Sequence, residues 1–198
     1  MDKYHLHWFT DEIYLHSSSA IASYQHLLHL LGDTKTSQSR DIWFVLLSFL
    51  THAAMVSKFL DPVGSDKDKK ERGEMLRGYL GVPSDSPILP RDARNNLEHI
   101  DERIDRWAQR GDTKIMEMVF DDRAGFDYIY ESGGAIRRVL IAEEMIFISE
   151  DHEGRRTETA LRPVFDSLSK LHSVCSEKLR TDSPYHYRLA QALKNYSS

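Results

Sequence analysis

Residues 137–149 read RRVLIAEEMIFIS. Two apolar runs, Val139-Leu140-Ile141 and Ile146-Phe147-Ile148, flank Ala142-Glu143-Glu144. The pattern predicts two extended segments joined by a turn. Upstream, TKIMEMVF at 113–120 also reads as extended, and Gly133-Gly134 marks a break. The sequence on either side of this region is helical in spacing, so the strands read as an insertion at about 113–149 within a helical protein.

Working outward, residues 11–31 carry Ile13, Ile21, Tyr24, Leu28 and Leu31 in one broad stripe and stop at Gly32-Asp33. Residues 38–60, QSRDIWFVLLSFLTHAAMVSKFL, are apolar over most of a helix circumference, as expected of the central helix of a bundle. Pro62 and Gly64 end it. SDKDKKERGEMLRGYLG at 65–81 predicts a shorter helix with a charged, solvated face, and the prolines of VPSDSPILP break the chain before a helix that opens near Pro90 or Arg91. From 156 onward, RTETALRPVFDSLSKLHSVCSEKL returns to helical spacing through Leu161, Val164, Leu168, Leu171 and Leu179, with Pro163 in the first turn. A short amphipathic piece within 181–198 closes the chain. The expectation is a single domain over 1–198, an all-α helical bundle of about four long helices with a small β-strand insertion.

Composition excludes several functions. With 26 Lys and Arg against 31 Asp and Glu, the net charge of −5 argues against a general nucleic-acid-coating protein and restricts any nucleic-acid contact to a small basic site. One cysteine, Cys175, rules out an intrachain disulfide and a cysteine metal cage. The N-terminus lacks an apolar signal region, and IWFVLLSFL is too short to span a bilayer. These readings predict a soluble cytoplasmic protein with no membrane contact. His5/His7 and His26/His29 are the only histidine pairs at ligand spacing, and neither has a third partner, so neither a metal nor another cofactor is expected. His52 interrupts the apolar helix at 38–60. A hydrogen-bonded core histidine is the preferred reading, with a supporting role beside a functional helix, and Lys58 at its rim, as the alternative.

The chemistry concentrates in RDARNNLEHIDERIDRW at 91–107. With Ala93 at zero and about 100° per residue, Ala93, Leu97, Ile100, Ile104 and Trp107 form a core-facing seam. Asn95, Glu98, His99 and Glu102 fall on the opposite side, with Arg94 on the flank. Charge pairs such as Arg94 with Glu98 suit an ordinary solvated face, each contributing about 0.2–0.5 kcal/mol.

Arg94-Asn95-Asn96-Leu97-Glu98-His99 also resembles the Arg-polar-x-x-x-His signature of HEPN domains, all-α bundles that carry this motif at the start of a long helix. The helical resemblance spans about 11–110 and 157–179. It implies a metal-independent endoribonuclease acting as a homodimer, in a toxin–antitoxin or phage-defence setting. The non-catalytic alternative in the same family is a ligand-binding or dimerisation module. In the catalytic case RNA supplies its own 2′-OH nucleophile. His99 would then move protons, imidazole having an ordinary pKa of about 6.5. Arg94 would hold phosphate, Asn95 would orient His99, and Arg91 and Glu98 would flank the site. An antitoxin or nucleotidyltransferase partner is implied by one toxin branch. There a tyrosine stands two positions after the histidine, where this chain has Asp101.

Overall fold

The computed structural model describes residues 2–33, 39–112, 114–131 and 133–182, without the side chains of Ser39, Arg94 and Leu97. Among these residues the chain forms seven helices and four strands: α1 (Lys3–Gly32), α2 (Ser39–Leu60), α3 (Lys67–Leu80), α4 (Asp92–Glu98), α5 (Ile100–Arg110), β1 (Ile115–Phe120), α6 (Arg123–Tyr130), β2 (Ala135–Ile141), β3 (Ile146–Glu150), β4 (Arg156–Ala160) and α7 (Leu161–Thr181). The closing piece within 181–198 lies almost wholly outside the described residues.

The helical half follows the predicted helices, but the buried face of α1 runs through Ile13, Ala20, Tyr24 and Leu27, leaving Leu28 of the predicted stripe 42 % exposed. Helix α1 opens earlier than its apolar stripe, because Asp2 accepts from the N–H groups of Tyr4 and His5 and caps the first turn. His5 and His7 therefore lie on a helix. Ile13, Ala20, Tyr24 and Leu27 of α1 meet Leu46, Phe49 and Val56 of α2 and Leu161, Leu168 and Leu171 of α7 in one core. Tyr24 stacks on Phe165 at 4.3 Å between ring centroids. Helix α2 has the length and apolar composition of a membrane span over Arg40–Leu60, yet more than half of that window is buried inside the fold. Its apolar circumference is spent on neighbours on several sides.

The all-α expectation fails at the sheet. The strands run in the order β1-β2-β3-β4, with β1 and β2 parallel and the other two pairs antiparallel. The fold is α/β, with a helical layer, a mixed sheet and α6 on the sheet's far side. Leu140 and Phe147 face the helical core, whereas Val139, Ile141 and Ile148 join Phe120 and Phe126 in a second core under α6. Both faces of β2 and β3 are therefore covered, which is why VLI and IFI are continuous apolar runs and do not alternate. A parallel β1–β2 pair needs a crossover, and α6 supplies it, capped by Asp122, whose Oδ1 accepts from Gly125 N at 2.7 Å. Strand β4, RTETA, is the other departure. It forms an edge strand where a helix start was expected, and α7 begins only at Leu161.

The helix at 91–110 is also not continuous. It breaks at His99 (φ −100°, ψ 30°), which ends α4 and opens α5. The break rotates the predicted seam. Ala93 and Trp107 are buried as expected and Ile100 is half-buried, but Ile104 is 46 % exposed. Asn96 and Arg103 are buried in its place.

Candidate functional site

A cleft of about 700 Å³ lies where α4 and α5 meet the β3–β4 hairpin. Arg91, Asn95 and His99 line it from the α4–α5 segment, and Asp151, His152 and Arg155 from the hairpin. Three arginines (Arg91, Arg103, Arg155) and three carboxylates (Asp92, Glu102, Asp151) sit in the lining, so fixed charge balances and two imidazoles remain.

Beneath the cleft runs a buried polar network. The Arg103 guanidinium donates from Nη1 to the His99 carbonyl, from Nε to the Glu150 carbonyl, and from Nη2 to Asn96 Oδ1, each at 2.8 Å. Burial pushes the Arg103 pKa down, as does repulsion from Arg106. Asn96 Nδ2 donates onward to Ser149 Oγ at 3.0 Å and Thr157 Oγ1 at 2.9 Å. Trp107 Nε1 donates to Glu150 Oε2 at 3.2 Å, and the other carboxylate oxygen of Glu150 accepts from Ile136 N. Four sequence-distant segments thus meet on satisfied buried polar groups.

The exposed groups are placed by this base. His99 Nδ1 lies 3.0 Å from Glu102 Oε1. A carboxylate only accepts, so Nδ1 carries the proton and Nε2 is left as the basic nitrogen. Arg91 sits at the start of α4, 3.8 Å from Asp61 Oδ2, and its buried Nη1 has no hydrogen-bond partner. On the hairpin, Asp151 Oδ1 accepts from the N–H groups of Glu153 and Arg155, and Oδ2 accepts from Arg155 Nε at 2.8 Å. Desolvation pushes the Asp151 carboxyl upward, but these bonds outweigh it together and hold the pKa at about 2. Gly154 takes the positive φ of 81° that the turn requires. The turn presents His152 and Arg155 to the cleft.

The residues expected from sequence are thus partly assembled. Arg91, Asn95 and His99 share the cleft, and Glu98 is exposed on the last turn of α4, outside the cleft lining. The Arg94 side chain lies outside the described residues. His52 belongs elsewhere: its Nδ1 is 2.9 Å from His16 Nδ1, between α1 and α2. It does not support the cleft. The sequence reading missed Asn96, Arg103, Asp151, His152 and Arg155. Only the DHEGR turn at 151–155, an Asp followed three residues later by Gly, carried a local signal. Among the described residues, no group of three or more His, Cys, Asp and Glu is placed to hold a metal ion. The chain matches no family model, no curated protein and no solved structure.

Proposed function

We propose that the cleft between α4–α5 and the β3–β4 hairpin cleaves RNA without a metal ion, in the cytoplasm, using the RNA 2′-OH as nucleophile. One observation carries this reading. His99, on an exposed helix break, has its Nδ1 proton fixed by Glu102, which leaves Nε2 as a base in a cleft that also holds arginine. Such a base takes the 2′-OH proton, and the guanidinium of Arg91, which lines the cleft, is a donor group suited to phosphate oxygens. A balanced cleft suits one phosphodiester in place and not a long polyanion track. The reading rests on these residues and not on the bundle, since a mixed sheet is not part of an all-α HEPN domain. A toxin–antitoxin or defence role, and a homodimer, belong to the same proposal as its biological setting.

The test is incubation of the purified chain with end-labelled single-stranded RNA in EDTA, alongside the same sequence as DNA. Cleavage of RNA alone, leaving a cyclic 2′,3′-phosphate and falling at least about 100-fold in His99→Ala, is the expected result. Cleavage undiminished in His99→Ala would remove His99 from the chemistry. Tight RNA binding without cleavage would favour a non-catalytic binding module.

A further inference from the structure

We infer that His152 is the second proton-transfer residue of this cleft, protonating the departing 5′-oxygen, so that one chain carries both halves of the acid–base pair. The inference rests on the reading of the cleft as an RNA-cleaving site. His99 and His152 both line the cleft, the first at the α4–α5 break and the second in the turn between β3 and β4. One rigid group ties together the backbone segments that carry them. The planar Arg103 guanidinium holds the His99 carbonyl on Nη1 and the Glu150 carbonyl on Nε, both at 2.8 Å. Arg106 Nη1 reaches the next carbonyl, that of Asp151, at 3.4 Å. The hairpin backbone is therefore tied to α5 immediately before His152, and the Asp151 side chain fixes the turn that follows. His152 Nε2 is 3.6 Å from Glu153 Oε1.

The chemistry needs two such groups. The 2′-oxygen gives its proton to His99 Nε2 as the 2′-O–P bond forms. The P–O5′ bond breaks with its electron pair on O5′, and that oxygen takes a proton from His152. The products are a 2′,3′-cyclic phosphate and a free 5′-hydroxyl. No outside oxidant, metal or nucleophile enters. A second copy of the chain is not needed to complete the pair, which separates this arrangement from a site composed across a dimer.

Two substrates separate the roles. Uridylyl-(3′→5′)-adenosine leaves as an alkoxide that requires a proton, whereas uridine 3′-(p-nitrophenyl phosphate) leaves as a stabilised phenolate that does not. Wild type cleaves both and His99→Ala loses both. The inference expects His152→Ala and His152→Gln to lose about 100-fold or more on the dinucleotide while staying within about threefold of wild type on the nitrophenyl ester. His152 is 75 % exposed, so either substitution leaves the packing intact, and circular dichroism checks this. Equal losses on both substrates, or no loss on either, would overturn the role of His152 while leaving the cleft's activity standing. A wild-type chain inactive on both would overturn the cleft reading and the inference with it.

Discussion

Asn96 gives the sharpest test of how the cleft is held together. It is 5 % exposed, accepts from Arg103 and donates to Ser149 and Thr157. Asn96→Ala removes one charge-assisted bond, about 1.5–3 kcal/mol. It also removes two neutral bonds, whose loss is softened because Ser149 Oγ and Thr157 Oγ1 are already 3.2 Å apart and keep each other. The expected destabilisation is about 3 kcal/mol, a fall in Tm of roughly 6–12 °C for a domain of this size. Asn96→Asp has the opposite logic. The new carboxylate keeps the acceptor for Arg103 and pairs its buried charge, and the two hydroxyls rotate to donate where they accepted, Thr157 giving up its bond to the Ser149 carbonyl. That variant is expected within about 1 kcal/mol of wild type, since the charge gained offsets its own desolvation. Urea unfolding followed by tryptophan fluorescence reads both, with an unchanged slope showing that the transition is the same one. An Asn96→Ala protein within about 0.5 kcal/mol of wild type, against the magnitudes above, would refute the network as a stabilising device. So would an Asn96→Asp protein as weak as the alanine variant.

Two further outcomes follow from other parts of the fold. A Cβ on Gly73 would stand 2.5 Å from Pro62 Cδ and 2.8 Å from the Leu60 carbonyl oxygen, whereas one on Gly78 of the same helix meets nothing within 4 Å. Thermal unfolding is therefore expected to show Gly73→Ala destabilised by about 1–3 kcal/mol and Gly78→Ala stabilised by about 0.5–1 kcal/mol. Equal shifts would contradict the tight α3–α2 corner. Burial first, and the neighbouring His16 second, push the His52 pKa down. The unfolded chain then takes up the proton first as pH falls, so stability is full above about 6.5 and declines below it until the depressed folded value is reached. Urea midpoints between pH 7.5 and 5.5 are expected to fall less in His52→Gln than in wild type. An identical fall would place the pH sensitivity on other groups.

The helical layer was legible because each helix buries an apolar stripe, a broad one in α2, against its neighbours. The strands at 115–120, 135–141 and 146–150 were legible for a related reason, since apolar β-branched runs bounded by a turn and a glycine pair have few other readings. What the sequence did not reveal is that these runs were covered on both faces, which requires a full sheet and a crossover helix and leaves no room for a hairpin inserted at the margin. Strand β4 was hidden by composition. Thr157 and Thr159 face inward and Arg156 and Glu158 face α6, where Arg123 pairs with Glu158 at 2.8 Å and Arg156 stands over Phe126. None of these is an apolar signal, and the run flows without a break into a strong helix.

The site was half legible for a sharper reason. A wheel drawn through 91–107 assumes one unbroken helix, and it correctly sends Asn95 and His99 away from the core. The break at His99 advances α5 so that Arg103, which the wheel left unassigned, turns inward and Ile104 outward. A buried arginine at that point is improbable on hydrophobic grounds alone and becomes favourable only when carbonyls from residues 99 and 150 and the amide of Asn96 are in place to receive it. Those acceptors exist because His99 caps α5, its carbonyl accepting from both the Arg103 N–H at 3.4 Å and Arg103 Nη1, and because β3 ends beside it. The break, the buried cation and the hairpin therefore specify one another. The exposed pair His99 and His152 is the surface expression of that buried agreement, so no reading confined to one helix face could have assembled the cleft.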